Sequence, residues 1–565
     1  MNHKPLLGLF VAISALGVLG CSNNNGHGPD LIVVGAVVRT MVATENGDQP
    51  TAEAVAVTDG IITAVGSRDD LVSSAGNNTR IIELDSGVVL PGLIDSHCHI
   101  LNLGRFLERI NLLGTKSAGD VRRKILSQLD KTSLLAWIRG RGWDQNDWET
   151  KTFPSWKDLA GTESNPVYLT RVDGHAIWVN KTALEIAKIT AETPDPPGGR
   201  IVRDSNGEPT GIFIDNAIEL ISKHIEAESF EHQLKMAKLA IKECNRFGLV
   251  GVHDCGLDSL GIEVYRTLQS SGKLDLRVYG MLDGSDSALI ESWFSVGPSI
   301  DSSGLFSIRT IKIYADGALG SRGAALLAPY DDDPENSGLL LTAPESIEDI
   351  TVSALENGFQ VAIHAIGDRG CRTALDAYET AFASAHYNNS SNSRFRIEHA
   401  QVIALEDIPR FAQLGVIPAM QPTHCTSDMY WAEDRVGSER IQGAYAWRKL
   451  INAGSIIPLG SDFPVESVNP LWGIYAAVTR QDHEGWPEGG WYAQEKLTIE
   501  EAVRGFTLDA AFAEFAEDTR GSIEIGKRAD FTILNRDIFE IEHSEILNTL
   551  VSYTIVGGRI VYESR

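Results

Sequence analysis

Two patterns of apolar positions run along this chain, one at its ends and another in its middle. From 31 to 90 the apolar runs are short and β-branched. Leu31 to Met41 reads as a strand. The run 54–58, the pair Asp59-Gly60 and the run 61–65 predict a hairpin, because Asp-Gly between apolar runs supplies the positive φ angles of a tight turn. Residues 81–84 and 87–90 add two strands. The far end returns to this pattern at 531–534 and at 554–562, the latter interrupted by Gly557-Gly558. Two β-rich ends predict one small β domain built from 31–90 and 520–565; two separate β caps are the alternative.

Between them the pattern changes to amphipathic helix, glycine, apolar strand. Helix 232–247 stops at Gly248, helix 345–357 at Gly358, helix 406–414 at Gly415 and helix 437–453 at Gly454. Glycine accepts the left-handed position that closes a helix. Strands separated by helices predict βαβ units and a parallel sheet. Eight candidate strands follow, at 93–97, 248–253, 276–282, 307–314, 359–364, 394–398, 415–420 and 455–460. The predicted fold class is therefore α/β, a (β/α)8 TIM-like barrel over 91–519. An open doubly wound sheet is the alternative, but no Gly-x-Gly-x-x-Gly follows a strand. Residues 100 to about 235 exceed what one helix needs, so they form a large insertion after the first strand. Long loops on that face of a barrel serve as lids or substrate walls. This one carries Gly142-Trp143-Asp144 and Arg171-Val-Asp-Gly-His175-Ala176.

Composition narrows the partners more than the fold. The chain has 565 residues, 43% of them hydrophobic, enough for a large core and more than one domain. A net charge of -27 argues against nucleic acid, which needs basic patches. The six cysteines are scattered, with neither a disulfide framework nor a zinc-ribbon spacing. Residues 1–21 read as a targeting segment: Lys4, an uncharged apolar run from Leu6 to Leu19, then Gly20-Cys21. The run is short for a membrane span. Cys21 after a small residue resembles a bacterial lipoprotein box, which implies lipidation at Cys21 and a polar tether over 22–30. The implied location is the bacterial cell envelope, lipid-anchored on the periplasmic face or the surface. A secretory signal cleaved nearby, giving a secreted or periplasmic protein, is the alternative.

The candidate chemistry sits at the strand ends. In Pro91-Gly-Leu-Ile-Asp-Ser-His97-Cys98-His99, side chains two apart on a strand leave on the same face, so both imidazoles can meet one metal ion. Cys98 points to the other face and should pack. Barrel active sites lie at the carboxyl ends of the strands. Those ends supply His97 and His99, Lys312, His364, His399 and Asp462. Each alone reads as a satisfied polar residue. Together, on five strand ends of one face, they read as a metal site, since neutral imidazole and carboxylate are zinc ligands. Lys312 within an apolar strand is informative, because a buried ammonium needs a partner or a shifted pKa.

With these residues in place, the chain resembles the amidohydrolase superfamily, in its YtcJ-like branch, amidohydrolase family 3. The resemblance rests on the 91–99 stretch, Arg171 to Ala176, Lys312-Ile-Tyr-Ala-Asp-Gly-Ala-Leu-Gly-Ser321, Arg396-Ile-Glu-His-Ala-Gln401, Gln421-Pro-Thr-His424 and Gly460-Ser-Asp-Phe-Pro464. It implies a metal-dependent hydrolase whose two chain ends build a β-sandwich. It implies that His97, His99 and Asp462 bind one divalent metal, expected to be zinc. His364 and His399 would bind a second in members that hold two, with a carboxylated Lys312 as the bridge.

The expected reaction is hydrolysis of a non-peptide C–N bond in a small molecule, such as an amide, N-formyl group or cyclic amide. A metal-activated hydroxide attacks the carbonyl or amidine carbon. Asp462 takes the proton as general base and returns it to the leaving nitrogen as acid. His175 or His424 would stabilise the oxyanion, with a structural hydrogen bond as the alternative for either. Arg322, Trp143 and Asp173 are candidate pocket residues. A deaminase or another hydrolase on this scaffold is the competing activity. A non-catalytic surface lipoprotein that binds a metal or ligand is the reading from a different class. A homo-oligomer stays open.

Overall fold

The computed structural model describes residues 28–42, 50–129, 132–171, 176–196, 199–225, 228–384 and 392–564. The targeting segment, most of the tether, and His175 with Asp173 lie outside the described residues. Among those described, no helix is long and apolar enough to cross a membrane.

Seven parallel strands form one sheet in chain order: Leu93–Cys98, Leu249–Leu257, Arg277–Asp283, Phe306–Tyr314, Gln360–Ala365, Arg396–His399 and Ile417–Ala419. Their residues are buried almost throughout, as expected of strands covered on both faces. The expected eighth strand at 455–460 does not form a ladder. Pro458 has no N–H to donate, and the chain turns at Asp462, whose φ is 60°. This segment still bridges the gap in the sheet. Met420 N–H donates to Pro458 O at 3.1 Å, Ser96 N–H to Leu459 O at 3.1 Å and Asp462 N–H to His97 O at 2.8 Å. The result is a nearly closed barrel whose seam lies beside His97.

The helices Phe230–Arg246, Pro344–Glu356 and Ile408–Leu414 are followed by Gly248, Gly358 and Gly415, all at positive φ. The helix expected over 437–453 is broken. Gly437 has a φ of 73° inside Ala432–Arg440, and the next α-helix is Trp447–Asn452. Between them Tyr445 turns, and its N–H donates to Gln401 O at 2.8 Å. A tertiary contact to the loop after the sixth strand outweighs helical continuity here.

Strands from both chain ends pair in one eight-stranded sheet, where Phe531–Leu534 runs antiparallel to Val88–Pro91. The Asp59-Gly60 hairpin forms as expected, with Thr58 opposite Ile61. Asp530 ties this sheet to the barrel, accepting from Arg277 Nε at 2.7 Å and Nη2 at 2.8 Å, both side chains buried. Between the first and second barrel strands, six strands, the first starting at Ile110 and the last ending at Asp215, form a separate sheet with its own apolar clusters.

Candidate metal centre

The site forms where the first barrel strand meets the turn that replaces the eighth. Asp95 accepts from His97 N–H at 3.1 Å, Ser461 N–H at 3.1 Å and Ser461 Oγ at 2.6 Å. This buried carboxylate joins the two segments and so sets Asp462 against the histidine pair. Gly460 is needed for the approach, because a Cβ there would lie 2.6 Å from His97 N. His399 and Asp462 both hold positive φ, at 71° and 60°. For side chains other than glycine such angles store roughly 1–3 kcal/mol each and gather at functional positions.

Three histidines are turned the same way. His97 Nδ1 bonds Glu398 Oε2, His99 Nδ1 donates to Cys255 O at 3.1 Å, and His399 Nδ1 donates to Gln421 Oε1 at 2.8 Å. Each acceptor fixes the tautomer and leaves the Nε2 lone pair free. The free nitrogens gather around Asp462: His99 Nε2 lies 3.3 Å and His97 Nε2 3.6 Å from Oδ1, and His424 Nε2 lies 3.7 Å from Oδ2. His364 joins from the fifth strand, its ring centroid 4.5 Å from that of His399. Ligating atoms of His97, His399 and Asp462 lie within 4.8 Å of one another.

Electrostatics and hydrogen bonding fit a cation. Lys312 Nζ, His364 Nε2, His424 Nε2 and Asp462 Oδ1 are buried with no hydrogen-bond partner among the described residues. Native structures leave few such groups without a reason. Burial, then neighbouring positive charge, pushes His364 and His399 well below the usual imidazole range, so both are neutral donors. Burial opposes ionisation of Asp462, but His99, 3.3 Å away, and the neighbouring histidines hold its carboxyl down at about 2. Burial also lowers Lys312, whose ammonium lies 3.9 Å from the Tyr314 ring centroid.

Every described metal candidate from the sequence converges here, and so does His424, on the helix Pro422–Asp428 after the seventh strand. Cys98 packs in the core, on the opposite face from its neighbours. Two pocket candidates do not belong. Trp143 is buried in the insertion's aromatic core and donates from Nε1 to Leu169 O at 3.0 Å. Arg322 pairs with Asp332 on the surface.

Three site residues were not singled out by sequence reasoning. Glu398 accepts from His97 and is ion-paired with Arg396 Nε at 2.7 Å. Opposite charges two apart inside a buried strand were the available signal. Cys255 carries a thiol close to His97 and Glu398. Asp316 accepts from the N–H groups of Ala325, Ile366 and Gly367 and lies 3.7 Å from His364 Nε2.

Comparison with known proteins identifies the family. The Amidohydro_3 model of the amidohydrolase family matches residues 80–562. YtcJ of Bacillus subtilis (strain 168), a proposed amidohydrolase, is 34% identical over 94% of this chain and 98% of its own. N-substituted formamide deformylase of Arthrobacter pascens is 27% identical over 94% of this chain and 98% of its own. Among solved structures, an uncharacterized metal-dependent hydrolase of Pyrococcus horikoshii OT3 superposes with a TM-score of 0.74. It is 26% identical and covers 91% of this chain and 99% of its own.

Proposed function

The chain belongs to the amidohydrolase family, and from that premise we propose that it hydrolyses non-peptide C–N bonds in amides, N-formyl groups or cyclic amides. The observation that carries the reading is the set of buried atoms around Asp462 that have no hydrogen-bond partner among the described residues. In this reading His97, His99 and Asp462 would hold one divalent ion, zinc by ligand type, and His364 and His399 a second. Lys312 would bridge them after carboxylation. Burial favours its neutral amine, the form that reacts with carbon dioxide. When bound, such a cation polarises a carbonyl and lowers the pKa of water towards about 7.

The chain's own groups complete the chemistry. Asp462 is ionised at neutral pH and takes the proton of the attacking water. It then carries that proton to the leaving nitrogen. His424, whose Nε2 lies 3.7 Å from Asp462 Oδ2, would donate to the developing oxyanion. His175 is the second candidate for that role. The domain reading extends the proposal: 31–90 and 520–565 as a composite β-sandwich, 91–519 as the hydrolase barrel, and 1–30 as lipoprotein signal and tether in a bacterial envelope.

The test is purification without chelators, metal analysis, and a panel of amides, formamides and cyclic amides with an aminated heterocycle as deaminase control. Metal together with C–N cleavage on the amide side supports the reading. Ammonia release from the heterocycle alone favours a deaminase. Metal with no turnover on any member favours a binding lipoprotein.

A further inference from the structure

A cavity of about 1040 Å³ opens beside the metal centre, with His99 and Tyr314 in its lining. Phe106, Leu113, Val465 and Trp472 give it an apolar wall. Arg105, Arg109 and Arg141 also line it, and their charges are not balanced alike. Arg105 Nε donates to Glu228 at 2.8 and 2.9 Å. Among the described residues, neither Arg109 nor Arg141 has a carboxylate within ion-pair distance or a side-chain hydrogen bond. This is unusual in a chain with 76 acidic and 49 basic residues.

The register explains the crowding. Ile110 pairs in parallel with Gly140, and Asn111 with Arg141. Arg139 and Arg141, two apart on Ile138–Trp143, leave the strand on one face. Arg109 precedes Ile110 and falls beside Arg139. Burial, then the charges of Arg139 and Arg141, pushes the Arg109 guanidinium down. The nearest acid to Arg139, Glu228 at 3.8 Å, is already held by Arg105. The two acids that line this cavity are engaged elsewhere: Glu243 pairs with Arg246 at 2.6 Å, and Glu466 accepts from Ser427 Oγ at 2.7 Å. A half-buried guanidinium between like charges is stabilised by an anion.

We propose that Arg109 and Arg141 form an anion subsite of the catalytic cavity, and that the substrates are amides carrying a carboxylate beside an apolar group. The inference rests on the hydrolase reading above and names its substrate class. The carboxylate faces the two guanidinium groups, and the hydrocarbon lies against Phe106 and Trp472.

The test compares N-formylphenylalanine with its carboxamide on the metal-loaded protein. The parent is expected to favour the carboxylate by about tenfold or more in kcat/KM, carried by KM. Arg109→Gln and Arg141→Gln should each bring that ratio towards unity, whereas Arg109→Lys keeps part of it. Thermal midpoint and metal content check that the variants fold. A parent ratio near one, or a ratio unchanged in both glutamine variants, overturns the subsite. Should neither compound be hydrolysed, the hydrolase reading fails for this class, and calorimetry decides the subsite separately. Tighter binding of the carboxylate than of the carboxamide, lost in both variants, supports it; equal affinity overturns it.

Discussion

Replacing Glu398 by Gln removes one negative charge from the buried centre of the barrel and keeps the side-chain shape. Burial opposes ionisation of this carboxyl, yet Arg396 and then His97 hold it at about 2, below its ordinary 4.5. That drop corresponds to about 3 kcal/mol in favour of the charged form, at about 1.4 kcal/mol per pH unit. Arg396 acts first, through its ion pair, and His97 after it, through Nδ1. The amide can still accept one hydrogen bond, but it no longer enforces the tautomer that frees His97 Nε2. Loss of such an outer partner costs metal affinity about 10–100-fold, or roughly 1.4–2.8 kcal/mol. The assay is competition for zinc against a chromogenic chelator, run on parent and variant of equal thermal midpoint. A variant that binds zinc within about twofold of the parent would refute the role given to the Glu398–His97 bond.

Asp462→Asn should retain metal while turnover falls about 100-fold or more, read by metal analysis beside steady-state kinetics. Turnover at the parent rate sinks the proton-transfer role. Gly460→Ala places a Cβ 2.6 Å from His97 N and 2.7 Å from Asp95 Oδ1. Overpacking there costs about 1–3 kcal/mol, and metal content should drop with it. Asp530→Asn breaks the buried pair with Arg277 and should lower stability by about 3–5 kcal/mol near neutral pH. Burial raises Asp530, but Arg277 outweighs it and holds the folded carboxyl below its unfolded value. The pair's contribution is therefore full above the unfolded pKa and fades as pH falls through the folded one. Thermal midpoints of parent and variant should converge in acid, and a constant gap from pH 7 to 3 would contradict this.

The metal candidates were legible in the sequence for a local reason. His364 and Asp462 each follow an apolar stretch that a glycine-terminated helix precedes, at Gly358 and Gly454. His97 and His99 follow the strand entered through Pro91-Gly92, and Lys312 and His399 stood out as polar residues in or just after apolar strands. What stayed hidden depends on partners far away in the chain. Asp316 owes its setting to N–H groups at Ala325, Ile366 and Gly367. Cys255 reads as one more buried cysteine until the first strand is laid beside it. The eighth strand was correctly located but is reduced to a bridge by Pro458, since position along the chain does not reveal how many ladder bonds survive. The helix over 437–453 failed for a similar reason: Gly437 and Tyr445 take their angles from contacts outside the segment. Trp143 was read as a pocket residue from the Gly142-Trp143-Asp144 stretch of the insertion, but the register shifts between Arg141 and Trp143, and the Trp143 ring packs in the insertion's own apolar cluster.

These side chains are proposed to form a metal centre. Anomalous diffraction at the zinc edge, from crystals of protein grown without chelator, tests it most directly. One or two peaks are expected, bonded to Nε2 of His97 and His99 with Asp462, and to His364 with His399. Anomalous peaks that lie only elsewhere on the molecule, with these nitrogens bonded to no ion, would contradict it.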